Sequence, residues 1–130
     1  IGKANQLRDG SDLTIIANGL MVAAALDAAK ELESGGISAR VLDMHTVKPI
    51  DEEAIAKAAR ETGKIVVAEE HLEHGGLGAA VAMAAARLHP VPMAYVNLGD
   101  RYAESGDPMG LLQKYGLTPQ AIVEAAKSLS

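Results

Sequence analysis

The sequence predicts an α/β domain with a mostly parallel sheet and helices on both of its faces. Three observations carry that reading. Leu13-Thr14-Ile15-Ile16-Ala17 and Ile65-Val66-Val67-Ala68 are short, unbroken apolar runs, the pattern of strands covered on two faces. Segments with helical spacing alternate with these runs. The junctions carry helix start and stop residues.

Taken in order, residues 3–8 are a first strand candidate. Leu13–Ala17 follows the turn residues Gly10-Ser11-Asp12. Val22, Ala25, Leu26, Ala29 and Leu32 keep helical spacing, and Gly35-Gly36 supplies the stop. Arg40–Met44 and Ala94–Leu98 are mixed in character and are expected nearer a sheet edge. Asp51 is an N-cap, followed by Glu52 and Glu53 where the helix dipole favours acids. Ile50 and Ile55 then stand at the two positions of a hydrophobic staple. Gly63-Lys64 introduces the Ile65–Ala68 strand. Asp107-Pro108 starts a short helical turn ending near Gly116. In the last helix Thr118 caps, Pro119 takes the first position, and Leu117 faces Ile122.

The helix from about Gly76 to Leu88 differs from the others. From Gly75 to Ala86 it carries no charge, so it is expected to be buried on every side. One face can pack on the sheet. The other needs a second domain, a second subunit or the C-terminal helix. Ala80 and Ala84 are the interface candidates on it.

Composition narrows the function classes. The length suits one domain, residues 1–130, without repeat or linker. There is no Phe or Trp and only three Tyr, so Ala, Val, Ile, Leu and Met must fill the core. A net charge of −5 argues against nucleic acid as a partner, as does the lack of aromatic stacking platforms. With no Cys there is neither a disulfide frame nor a thiolate nucleophile. No apolar run approaches the roughly 20 residues of a membrane span, and no secretory signal is visible. A cytoplasmic location is the expectation. The first residue is Ile1 rather than Met, which reads as a processed, trimmed or partial chain.

Chemistry concentrates in two phrases at strand-to-helix junctions, where open α/β sheets place functional loops. They are Asp43-Met44-His45-Thr46-Val47-Lys48-Pro49-Ile50-Asp51 and Glu69-Glu70-His71-Leu72-Glu73-His74-Gly75-Gly76-Leu77-Gly78. His71 suits general acid–base work near neutral pH. His71 and His74 with the neighbouring carboxylates resemble a zinc or manganese donor set, but nothing fixes a third ligand. A plain polar loop or a subunit contact fits the same residues. Gly75, Gly76 and Gly78 open a helix whose free N–H groups suit a phosphate. They also suit a tight turn and close packing. Lys48 suits an anion, or solvent beside the rigid Pro49. His45 suits a packed loop. Arg101 suits a substrate phosphate or a surface carboxylate. There is no Walker loop and no nucleophile elbow, so no complete active site is present.

These phrases identify the chain as resembling the C-terminal domain of transketolase, in its short or split-subunit form. The resemblance rests on Asp12–Gly19, Gly36–Asp51, Glu69-Glu70-His71 with Gly75–Gly78, Glu104-Ser105-Gly106-Asp107-Pro108, and Lys114–Thr118. Gly78-Ala79 replaces the family's usual Gly-Ser, and Asn18 a common Thr. Pieces are shared with the β subunit of 2-oxo acid dehydrogenase E1 and with deoxyxylulose-phosphate synthase. The resemblance implies a three-layer α/β/α fold with a five-stranded mixed, mostly parallel sheet, its first strand antiparallel. It implies ketol transfer from a ketose phosphate to an aldose phosphate, using thiamine diphosphate and Mg2+ (or Ca2+). It places those cofactors on other domains, so this domain is expected to bind none and to be inactive alone. The expected partners are the thiamine-binding domains or subunit, and a second copy in a homodimer. His71 is the residue expected nearest the active-site entrance. A reading of another class is a free-standing phosphate- or nucleotide-binding module built on Gly75–Gly78.

Overall fold

The computed structural model describes residues 3–19, 21–44, 50–69, 76–96 and 119–129. Its strands are β1 (Asn5–Arg8), β2 (Leu13–Ala17), β3 (Ala39–Asp43), β4 (Ile65–Ala68) and β5 (Met93–Val96). Its helices are α1 (Met21–Ser34), α2 (Glu52–Thr62), α3 (Leu77–Leu88) and α4 (Pro119–Ser128). The strands form one sheet in the order β1-β3-β2-β4-β5. β1 runs antiparallel to β3, and every other pairing is parallel. This is the mixed sheet with an antiparallel first strand that the resemblance implies. β5 lies at one edge of the sheet and β3 stands next to the other, beside β1, in line with their mixed composition. The register slips between Gln6 and Arg8, and such a bulge bends and blunts an exposed edge.

Strand alternation sorts the core into two layers. Leu13, Ile15, Ala17, Val41, Val66 and Ala68 point to one face, where α1 and α4 cover them. Ile16, Leu42, Ile65 and Val67 point to the other, under α2 and α3. A strand buried on both faces has no polar register to keep, which explains the unbroken apolar runs.

Helix ends follow their sequence signals. The Asp51 side chain accepts from Ala54 N at 3.1 Å, as an N-cap should, and its other oxygen accepts from Ala4 N at 2.9 Å. One carboxylate thus caps α2 and ties down the chain ahead of β1. Ile50 and Ile55 pack in the same core, in line with a staple. Gly36, at φ +89°, closes α1 in a Schellman motif: Ile37 N bonds to Leu32 O and Gly36 N to Glu33 O, both at 2.9 Å. Gly63, at φ +74°, ends α2 the same left-handed way, with its N–H on Ala59 O. Pro119 is the first residue of α4. The Thr118 cap, Leu117 and the Asp107–Gly116 turn lie outside the described residues.

Two polar features are built into the amino-terminal side of the sheet. Thr14, fully buried on β2, meets Thr62 at the end of α2 with 2.7 Å between hydroxyl oxygens. Thr62 Oγ1 also lies 2.8 Å from Ala58 O. Thr62→Val leaves the Thr14 hydroxyl buried without this partner, at a cost of about 1–3 kcal/mol. Adding Thr14→Val removes the stranded group, so the double variant is expected to lose less than the sum of the singles in a urea-unfolding cycle. Arg40, buried at 7% exposure, donates to Gly10 O at 3.2 Å and pairs with Glu61 at 2.8 Å.

Within this chain α3 is covered on one side. Leu77, Gly78, Val81, Ala84 and Ala85 are buried, but Ala79 and Ala86 are exposed, and Met83 is 74% exposed. The C-terminal helix does not cover this face, since α4 packs with α1 on the opposite side of the sheet.

Candidate functional site

The two chemistry-bearing phrases leave the same edge of the sheet. Asp43 and Ala68, the last residues of β3 and β4, both pair with Ala17 at the end of β2. Val96 at the end of β5 pairs with Ala68, so four strand ends stand level at the carboxyl edge. β2 connects through α1 to one side, and β4 connects through α3 to the other. That divergence makes the gap between β2 and β4 a topological switch point, where open α/β sheets form crevices.

Glu69 is the first residue beyond β4 at this edge. Its N–H bonds to Val96 O at 3.0 Å. Its side chain, 3% exposed, turns back to the start of α3. One carboxylate oxygen accepts from Leu77 N at 2.9 Å, and the other accepts from Gly78 N. Gly76 is the N-cap and offers no side-chain cap, so Glu69 supplies the acceptor from seven residues upstream. Gly78 makes the approach possible. A Cβ there would stand 3.0 Å from Glu69 Oε2 and 3.0 Å from Tyr95 Cδ1. The partial burial of Tyr95 raises its phenol above the ordinary tyrosine value. Its hydroxyl faces Met93 Sδ at 3.7 Å.

This arrangement separates the two readings of the glycine cluster. Gly76 and Gly78 do start a helix, but the N–H groups of Leu77 and Gly78 already hold a buried carboxylate. A phosphate there would meet that carboxylate's negative charge. Gly78 therefore serves the close approach of Glu69 and Tyr95. Sequence alone groups Glu69 with its polar neighbours and hides this role. The available signal is a helix start with glycine at the cap and an acid at the end of the preceding strand.

Ala80 and Ala84 fall in a different place. With Ile50, Glu52, Met83 and Arg87 they line an open groove of about 580 Å³ between the start of α2 and the outer side of α3. Arg87 and Glu52 pair across it. Ala80 is half-buried, while Ala84 belongs to the domain's own core. Glu70, His71, His74, Gly75 and Arg101 lie outside the described residues, as do His45 and Lys48. Among the described residues no group of three or more His, Asp or Glu side chains is placed to hold a metal.

Residues 2–122 match the family model for the C-terminal domain of transketolase. The chain belongs to this family. As a transketolase C-terminal domain it has relatives along its whole length. It is 48% identical over 130 residues to a 6-deoxy-6-sulfo-D-fructose transketolase subunit of Clostridium sp. (strain MSTE9). It is 46% identical over 126 residues to an apulose-4-phosphate transketolase subunit of Phocaeicola vulgatus. The match covers 100% and 97% of this chain but 40% of each relative. A 1-deoxy-D-xylulose-5-phosphate synthase of Heliobacterium modesticaldum is 42% identical, over 20% of its own length. Among solved structures, a split-gene transketolase in an inactive β4 tetramer superposes with a TM-score of 0.92 at 48% identity, over 98% of this chain and 42% of that one.

Proposed function

We propose that this chain is the C-terminal domain of a thiamine diphosphate-dependent transketolase of the split-subunit type. The whole enzyme would move a two-carbon ketol unit from a ketose phosphate to an aldose phosphate. The observation that carries this reading is full-length similarity at 48% and 46% to two transketolase subunits, above the 42% to the deoxyxylulose-phosphate synthase. The two relatives are named for different sugars, a sulfofructose and apulose 4-phosphate, so substrate is proposed only as a class.

In this reading thiamine diphosphate and its divalent metal sit on other domains in a cytoplasmic enzyme. This domain contributes contacts to those domains and to a second copy. The outward side of α3, with Met83 and Ala80, is the contact surface, and its charge-free sequence from Gly75 to Ala86 supports that role. His71 remains the residue proposed nearest the active-site entrance. The hydrogen bonds from Leu77 and Gly78 N–H to the Glu69 carboxylate favour this reading over a free-standing phosphate module at the same helix start.

The test uses two preparations. The isolated chain is expected to give a flat calorimetric titration with thiamine diphosphate and Mg2+, and no ketol transfer. The protein carrying the thiamine-binding domains is expected to bind the cofactor and transfer the ketol unit. Saturable cofactor binding by the isolated chain, or an inactive complete protein, would overturn the proposal.

A further inference from the structure

We propose that Asn18–Gly19 is a self-modification site, where the Asn18 side-chain amide is lost through a cyclic imide to leave aspartate and isoaspartate. The chemistry needs a carboxamide one residue ahead of an unhindered backbone nitrogen. Asn18 is the one asparagine in the sequence followed by glycine; Gln6 follows Asn5 and Leu98 follows Asn97. Glycine has no Cβ to crowd its nitrogen as the ring closes. The fold leaves this pair open to water. β2 ends at Ala17, level with Asp43 and Ala68 at the carboxyl edge. The chain then turns off the sheet, with Asn18 partly buried and Gly19 exposed at φ +57°. Met21 N donates to Asn18 O at 3.1 Å and Val22 N donates to Gly19 O at 3.2 Å. Those turn bonds engage the two carbonyls and not the Gly19 nitrogen. Asn5 stands differently, inside β1 and paired with Asp43, where the ladder holds the backbone extended.

The reaction consumes water and base and needs no oxidant. Hydroxide takes the Gly19 amide proton, and the nitrogen attacks Asn18 Cγ. The N–Cγ bond forms, the Cγ–Nδ2 bond breaks, and Nδ2 leaves as ammonia. Water then opens the ring. Attack at Cγ restores the normal main chain with aspartate at position 18. Attack at the main-chain carbonyl carbon routes the chain through Cβ and Cγ, which is isoaspartate. Either product takes the formal net charge one unit below −5. The new charge stands beside the start of α1, which has no acid in its first turn and whose dipole favours an anion. Aspartate is therefore expected to be tolerated. Isoaspartate adds a main-chain carbon to the turn between β2 and α1. Threonine, which the family commonly has in place of Asn18, carries no amide to lose.

The experiment holds the purified full protein, folded by circular dichroism, at mildly alkaline pH and samples it over days. Ion exchange follows the acidic species, and peptide mass spectrometry with fragmentation assigns the site. The tryptic peptide Asp9–Lys30 holds Asn18 as its one side-chain amide. An unincubated sample digested in parallel sets the baseline. Conversion at Asn18 is expected to run several-fold faster than at Asn5 or Asn97, to speed up as pH rises, and to yield aspartate and isoaspartate together. Asn18→Thr is expected to remove the acidic species, and Asn18→Asp provides the elution standard for one of them. Retention of the Asn18 amide while Asn5 or Asn97 converts would overturn the proposal. So would aspartate at position 18 without isoaspartate, since direct hydrolysis, not the ring, gives that result. An unchanged acidic species in Asn18→Thr would also overturn it. None of these outcomes bears on the transketolase reading, which the cofactor and transfer assays test separately.

Discussion

Ala84→Glu is expected to unfold the domain, or to lower its stability by about 3–5 kcal/mol, by placing a carboxylate where no partner waits. Ala84 is 3% exposed and packs with Ile55, Ala58, Val81 and Ala85 between α3, α2 and the sheet. Arg87, one turn further along α3, is already paired with Glu52, so a new carboxylate reaching for it must displace an existing partner. Met83 makes the control. It lies one residue earlier on the same helix but points outward, so Met83→Glu is expected to shift stability by no more than about 0.5 kcal/mol. The two changes thus separate the core side of α3 from its outward side. Urea unfolding followed by circular dichroism reads the first effect. Light scattering on the assembled protein reads the second: Met83→Glu should weaken association without moving the urea midpoint. Wild-type stability for Ala84→Glu would contradict the core placement. Unfolding by Met83→Glu would show that the outward face is structurally required within the domain.

The contrast between Ala84 and Met83 shows where sequence reading stops. A strand buried on both faces is legible because its pattern is a continuous apolar run, and β2 and β4 are legible in this way to their bounds. Helix ends are legible when the cap is local. Asp51, Gly36, Gly63 and Pro119 each act within a few residues of the element they bound. The antiparallel β1 gives a weaker signal, because its burial pattern is mostly exposed and it owes its place to β3. An apolar helix, by contrast, says only that it needs cover, not which layer of the protein supplies it. Alanine is small enough to suit the core, a groove wall or a contact surface, so Ala80 and Ala84 look alike until the sheet fixes the helix rotation. Glu69 is hidden for a different reason. Its partners are eight and nine residues away, across a connection whose path the sequence does not specify. A run of acids and histidines draws attention to the run as a whole. The one that is buried reads the same in the sequence.

Gly10→Ala is expected to cost about 3 kcal/mol or more, although it adds a single methyl group near a surface turn. The reason is what the methyl would meet. A Cβ on Gly10 would stand 2.3 Å from Ala39 C, 2.4 Å from Arg40 N and 2.7 Å from Ala39 O. These are backbone atoms of β3, and unlike a side-chain tip they cannot rotate away. Either the start of β3 moves, taking the Leu13–Ala39 and Thr14–Arg40 pairings with it, or the Asp9–Ser11 turn lifts off. Lifting the turn breaks the Arg40 bond to Gly10 O and leaves a buried guanidinium short of a partner. Overpacking of this kind usually costs about 1–3 kcal/mol, and the backbone contact places Gly10 at or above that range. Opposing it, alanine narrows the unfolded ensemble, an effect of about 0.4–1 kcal/mol and too small to compensate. Gly35→Ala isolates that smaller effect. Its Cβ would meet only Leu32 O, at 3.5 Å, and its φ is not positive, so it is expected to be neutral or slightly stabilising. Thermal and urea unfolding of the two variants should therefore diverge in opposite directions from wild type. If Gly10→Ala instead tracks Gly35→Ala, the contact between the Gly10 turn and the start of β3 is looser in solution than these distances require.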